Sequence, residues 1–180
     1  MKKPILIPIV AVLLAAVILF GVAHSLNGIA AKNAQAEHLK IMQTLLPGSS
    51  DFVVEPYAGD DTNIRSIHKG ENGFVIETVT AGYAGDITML IGVSNEGTVT
   101  GVVVREMSET LGLGANSLTD HVFLSQFLNT SGEAEVGTTV DAITGATVTS
   151  KAITRCVNSA IAYVTGADIE SGATSREVKA

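Results

Sequence analysis

The stretch Asp86-Ile87-Thr88-Met89-Leu90-Ile91-Gly92-Val93-Ser94-Asn95-Glu96-Gly97-Thr98-Val99-Thr100-Gly101-Val102-Val103-Val104-Arg105-Glu106 decides the fold. Two aliphatic, β-branched runs, 86–94 and 98–106, flank a turn at Asn95-Glu96-Gly97, and the pattern predicts an antiparallel hairpin. Just upstream, Gly73-Phe74-Val75-Ile76-Glu77-Thr78-Val79-Thr80 has the same composition and reads as another strand. Phe52-Val53-Val54 and Ile64 to His68 are shorter candidates. Gly82, Gly85, Gly92, Gly97 and Gly101 punctuate the run, at tight turns or close backbone approaches.

Beyond the hairpin the period changes. After a glycine-rich loop from Glu109 to Asn116, a helix is expected near Leu118 to Leu128, with Val122, Phe123, Phe127 and Leu128 as its apolar stripe. A polar stretch from Asn129 to Thr139 follows. From about Thr149 to Val164, Ala152, Ile153, Cys156, Val157, Ala160, Ile161 and Val164 repeat at helical spacing. Cys156 lies on that stripe and reads as a buried small hydrophobe. It is the only cysteine in the chain, so no intramolecular disulfide is available. The tail after Gly166 is polar and built of small residues, which predicts a loose end.

Toward the N-terminus, Ile5 to Ala23 runs nineteen residues without a charge. At ~1.5 Å per residue a helix over it reaches about 28 Å, near the hydrocarbon thickness of a bilayer. Lys2 and Lys3 precede the run and Lys32 is the first cation after it, which predicts a cytoplasmic N-terminus and an extracytoplasmic domain. A cleaved signal peptide shares the charged start. Its apolar core is shorter, however, and Phe20 to Ser25 offers no small-x-small cleavage pattern, so the expectation is an uncleaved single-pass anchor in the cell (inner) membrane. Residues 26–46 continue as a helical pattern that Pro47-Gly48-Ser49-Ser50 ends, and read as a stalk.

The fold class that results is α+β: an N-terminal transmembrane helix followed by one domain with a mainly antiparallel sheet covered by helices. The expected segments are residues 1–25 (cytoplasmic N-terminus and anchor), 26–50 (stalk helix), 51–166 (the domain) and 167–180 (flexible tail). Beyond the anchor stand all eighteen acids against nine of the eleven Lys and Arg, a formal −9 that disfavours nucleic acid and anionic lipid surfaces. His24, His38, His68 and His121 are scattered without metal-ligand spacing. Gly112 and Gly114 lack the third glycine and downstream acid of a nucleotide-binding fingerprint, so nothing marks a self-contained NADH oxidase.

The chemistry is concentrated in Asp141-Ala142-Ile143-Thr144-Gly145-Ala146-Thr147-Val148-Thr149-Ser150, just before the last helix. Gly145 and Ala146 clear space around a threonine hydroxyl at a helix N-terminus, where free N–H groups and the dipole favour a phosphate. An ordinary capped helix start, with Thr149 or Ser150 as N-cap, fits the same residues, and taken alone it is the commoner reading.

Asp-x-x-Thr-Gly-Ala-Thr, as it stands at 141–147, resembles the flavinylation motif of the FMN-binding domain in the G subunit of the Rnf electron-transport complex. It is also similar to that of the C subunit of the sodium-translocating NADH:quinone reductase. Glu109, Thr110, Gly112, Leu113 and Gly114 resemble the family's Glu-Thr-Pro-Gly-Leu-Gly loop, with Leu111 in place of proline, and Gly82-Tyr83-x-Gly85 also stands in family order.

The resemblance implies covalent FMN, joined to Thr147 by a phosphoester bond that a magnesium-dependent flavin transferase forms from FAD. Glu109, Thr110, Leu113, Gly114, Gly145, Ala146 and Thr149 are then the candidates for lining the flavin, with Asp141 the leading acid of the recognition pattern. It further implies an electron-carrier subunit, not a self-contained enzyme, working with the other subunits of an ion-translocating ferredoxin:NAD oxidoreductase. Asp168 to Thr174 repeats the seven-residue pattern, but no helix follows it, so Thr147 is the expected main site. Two other readings use the same residues: a non-redox, membrane-tethered binding module, and the FMN domain of a separate extracytosolic reductase.

Overall fold

β-Branched residues and a run of short turns produce one five-stranded sheet in the computed structural model, which describes residues 13–15, 20, 32–107 and 120–167. The strands are β1 (Val53–Glu55), β2 (Ile64–Lys69), β3 (Gly73–Ala81), β4 (Asp86–Ser94) and β5 (Val99–Met107). Their spatial order is their chain order, and every neighbouring pair is antiparallel. The mainly antiparallel α+β reading therefore holds for the described part.

The β4–β5 hairpin forms as read, with β5 starting one residue later because Thr98 belongs to the turn. There the Thr98 carbonyl accepts from Ser94 N at 2.8 Å, and Gly97 takes a left-handed φ of 82°.

The chain divides into two units, Met1–Lys40 and Ile41–Ala180. In the first, residues 32–40 are helical. The apolar run Ile5 to Ala23 falls almost wholly outside the described residues, and among those described no helix is long and apolar enough to cross a membrane.

In the second unit both faces of the sheet are covered. Helical residues 41–45 (α1) bring Met42 and Leu45, with Leu46 just beyond, onto Val75 and Leu90. The opposite face packs on α2 (His121–Ser125) and α3 (Thr147–Thr165) through Ile76, Met89, Ile91, Phe123, Phe127, Ile153, Val157 and Ile161. Covering on both sides explains why β4 is buried from Ile87 to Val93. Gly92 and Gly101 are register partners beneath Leu45, and a Cβ on either would collide with it. The Thr100 hydroxyl donates to the Leu45 carbonyl at the same point. These two glycines are thus the close approaches that their position in the strands suggested.

The helix expected over Leu118 to Leu128 is corrected. α2 spans only His121–Ser125, started by the Asp120 carboxylate, which accepts from Phe123 N at 2.9 Å. A single turn aims Phe123, Leu124 and Phe127 inward and leaves Val122 and Leu128 exposed, at 78% and 41%. Leu124 therefore takes the place in the core that the stripe assigns to its neighbours.

Cys156 is fully buried, and burial pushes its thiol up to about 11. A folded-state value above the unfolded one of about 8.5 means that the native protein holds the proton longer. That contribution to stability is complete below the unfolded value and is lost as pH rises through about 11. Cys156 is expected to resist iodoacetamide at pH 8 in the native protein and to react in urea, which mass spectrometry of the two samples checks. Rapid native labelling would place the thiol at the surface.

Candidate functional site

The direction of α3 across the sheet places the motif. Near its C-terminal end the Tyr163 ring packs edge-on against Phe74, with centroids 5.6 Å apart. Further back, Ser159 Oγ accepts from Asn63 Nδ2 at 3.2 Å, and Arg155 Nη1 donates to Thr80 Oγ1 at 3.4 Å. The contacts thus advance along β3 from Phe74 to Thr80 as the helix is followed backward. Its first turn therefore points toward the sheet end marked by Ala81.

That end collects other features. Gly82 N donates to Gly85 O at 2.8 Å, closing the β3–β4 turn on which Tyr83 is 62% exposed. Thr80 pairs with Ile87, and Ile87 with Met107, so β5 also ends there. The candidates Glu109, Thr110, Leu113 and Gly114 follow it in the chain. Those four candidates lie outside the described residues.

Gly145, Ala146, Thr147 and Thr149 come together at the start of α3. Gln126 holds the approach: its Oε1 accepts from Asp141 N at 2.8 Å and its Nε2 donates to Asp141 O at 3.3 Å. Ala146 N then donates to Ile143 O at 2.9 Å, and Gly145 has φ 77°, a left-handed turn position at which a side chain is strained. The buried Ser150 hydroxyl ties the turn to the helix, accepting from Ile143 N at 3.0 Å and donating to Ala146 O at 2.9 Å.

The cap reading is corrected here. α3 begins at Thr147, two residues early, with Ala146 as an N-cap that supplies no side-chain bond. Ser150 lies in the first turn, and its oxygen is committed to the clasp. Thr149 is 1% exposed and turns its side chain inward, so what it presents toward the helix end is its backbone amide.

A helix that begins this way leaves the amides of Thr147, Val148 and Thr149 without intrahelical acceptors. Ser150 N is the first to close, onto Ala146 O at 2.9 Å. No acidic residue stands in the first turn to compete for the positive end of the dipole. Thr147 itself is exposed, between exposed Gly145 and Val148, while Ala146 is packed inward. An accessible hydroxyl beside three amides, with no acid in its own first turn, suits a phosphate ester in both shape and charge. Among the described residues no group of three His, Cys, Asp or Glu could hold a metal ion.

Sequence reasoning missed Gln126 and offered Ser150 only as a cap, whereas both side chains hold backbone groups of the approach to α3. It also passed over Arg155, half-buried on α3, whose Nη1 reaches the Thr80 hydroxyl.

The same region matches known proteins. Residues 82–162 fit the FMN-binding domain. The chain is similar to the G subunit of the Na(+)-translocating ferredoxin:NAD(+) oxidoreductase complex of Acetobacterium woodii, 35% identical over 147 residues, covering 66% of this chain and 70% of that protein. It is similar also to the G subunit of the ion-translocating oxidoreductase complex of Methanosarcina acetivorans, 37% identical over 150 residues, covering 74% and 78% of the two chains. A third relative, the G subunit of the proton-translocating ferredoxin:NAD(+) oxidoreductase complex of Clostridium ljungdahlii, is 36% identical over 99 residues, 51% of this chain and 53% of that one.

Replacing Ser150 by Ala strips the clasp and leaves Ile143 N without its acceptor. The expected cost is about 1–3 kcal/mol, read as a lower urea midpoint at unchanged slope. An unshifted midpoint would show that the clasp does not hold the turn.

Proposed function

The chain belongs to the family of G subunits of ion-translocating oxidoreductase complexes, and from that premise we propose that it is a membrane-anchored electron carrier with FMN esterified to Thr147. The observation that carries the attachment is the exposed Thr147 hydroxyl at the uncapped first turn of α3.

In maturation, Thr147 Oγ forms a bond to the flavin-bearing phosphorus of FAD. The pyrophosphate bond breaks, AMP leaves, and the hydroxyl proton passes to a base of the transferase or to water. The resulting diester keeps one negative charge beside the amides of Thr147, Val148 and Thr149. At a helix N-terminus such a charge is favoured by about 0.3–1 kcal/mol when exposed. The left-handed Gly145 and the small Ala146 keep side-chain bulk away from the ester. Glu109, Thr110, Leu113 and Gly114, which match the family's glycine loop in sequence, are the further candidates for contacting the flavin.

When bound, FMN supplies the electron chemistry. The protein contributes position: a tether prevents loss of the cofactor outside the cell and holds it at high effective concentration near its electron partners. Those partners are other subunits of a ferredoxin:NAD oxidoreductase that couples electron transfer to ion movement, the activity that the names of its relatives carry. The uncharged run Ile5 to Ala23 supports a single-pass anchor over residues 1–25 with the N-terminus cytoplasmic. Residues 26–40 then serve as the stalk, 41–166 as the FMN-binding domain, whose sheet Met42, Leu45 and Leu46 cover, and 167–180 as a tail.

The test is co-expression with an active flavin transferase and fluorescence of the denatured band under ultraviolet light. Thr147→Val is expected to abolish that fluorescence while keeping the circular dichroism of the parent, and Thr174→Val to retain it. A fluorescent Thr147→Val band would move the site elsewhere.

A further inference from the structure

Arg155 is a cation without an anion among the described residues. Neither the Arg65–Glu77 pair at 4.0 Å nor the Lys69–Glu55 pair at 3.7 Å includes it. Its one hydrogen bond is the 3.4 Å contact of Nη1 with the Thr80 hydroxyl, while Nε is buried and unpaired. On the same face of β3, two residues from Thr80, the fully buried Thr78 hydroxyl meets the Cys156 thiol but no well-formed hydrogen-bond partner among the described residues. A dry, unpaired donor costs on the order of 1–3 kcal/mol, and more on a charged group. A fold that keeps such a donor at this place implies an acceptor that the described residues do not supply.

Position identifies the acceptor. Thr147, Lys151 and Arg155 follow each other at helical i, i+4, i+8 spacing and share one side of α3. Eight residues span about 12 Å of helix axis. A phosphoribityl chain with its fused ring system is of that length, so a flavin esterified at Thr147 and laid along α3 carries its ring to Arg155. The guanidinium is planar and presents a fork of donors, which matches the carbonyl and ring-nitrogen acceptors on the pyrimidine edge of isoalloxazine.

We propose that Arg155 pairs with the pyrimidine edge of the flavin tethered at Thr147 and raises its reduction potential. The inference rests on the reading of Thr147 as the flavin-bearing residue. Two electrons taken up by the ring increase the negative charge on that edge, and a fixed guanidinium beside it favours the reduced form. The cation also stands in a domain whose formal charge is otherwise strongly negative, so its removal is felt with little compensation from neighbours.

The experiment uses the full chain, matured by a flavin transferase and purified in detergent, with parent, Arg155→Gln and Arg155→Lys compared. In-gel fluorescence reports attachment and a spectroelectrochemical titration reports the midpoint. Fluorescence is expected in all three. At the parent's midpoint, the reduced-to-oxidised ratio should fall about tenfold in Arg155→Gln, about 30 mV for a two-electron couple. Arg155→Lys should lie between. In the flavin-free Thr147→Val background, Arg155→Gln should leave the melting temperature unchanged or raise it, because it removes an unpaired cation. A fully flavinylated Arg155→Gln with the parent's midpoint overturns the proposal and leaves the Thr147 reading intact. A lower melting temperature in the flavin-free background also overturns it, by making Arg155 a structural residue. A parent chain without covalent flavin removes both.

Discussion

Everything at the site depends on how α3 lies against the sheet. Its inward face is built of Ala152, Ile153, Cys156, Val157, Ala160 and Ile161, all buried, with small residues at every turn. Small side chains let the helix sit low across β3 and β4, and Ile76, Met89, Ile91 and Val93 fill the layer beneath. Buried Asn158 secures the flank, accepting from Ala134 N and donating to Ala134 O at 2.9 Å each. With the helix axis fixed, the position of its first residue is fixed too. The Thr147 hydroxyl is thereby placed by the core.

The start of that helix uses a second constraint. Most helices satisfy their first amides with a side-chain cap. Here Ala146 supplies none, Ser150 turns its hydroxyl back to Ile143 and Ala146, and Gln126 brackets Asp141. Polar side chains thus order the approach to the helix while leaving the amides at its tip for something else. Leaving donors open in this way lowers stability, and a phosphate diester at Thr147 would offset the loss. The unpaired Arg155 donor repeats the pattern two turns further along α3.

Much of this was legible in the sequence because it rests on period and composition. The β4–β5 hairpin and β3 were readable from β-branched runs and from Asn95-Glu96-Gly97, and α3 from its apolar spacing. The motif at 141–147 stood out through its resemblance to a flavinylation sequence. What resisted reading depends on tertiary partners. Thr149 and Ser150 have the chemistry of caps, and only the burial of that turn sends their side chains inward. Val122 and Leu128 are as apolar as Phe123 and Phe127, and α2 is too short to declare which side faces the core. Gly92 and Gly101 signalled a close approach, but Leu45, which makes it, is more than forty residues away in the chain.

One mass measurement tests the attachment at Thr147 most directly. The full chain, matured with a flavin transferase, would be cut with trypsin and its peptides mapped. Cleavage at Arg105, Lys151, Arg155 and Arg176 separates the peptide that carries Thr147 from the one that carries Thr174. The predicted result is the added mass of an FMN diester on the segment ending at Lys151, with fragment ions that place it on Thr147. The same mass found solely on the segment that carries Thr174, or on neither segment beside an active transferase control, would contradict it.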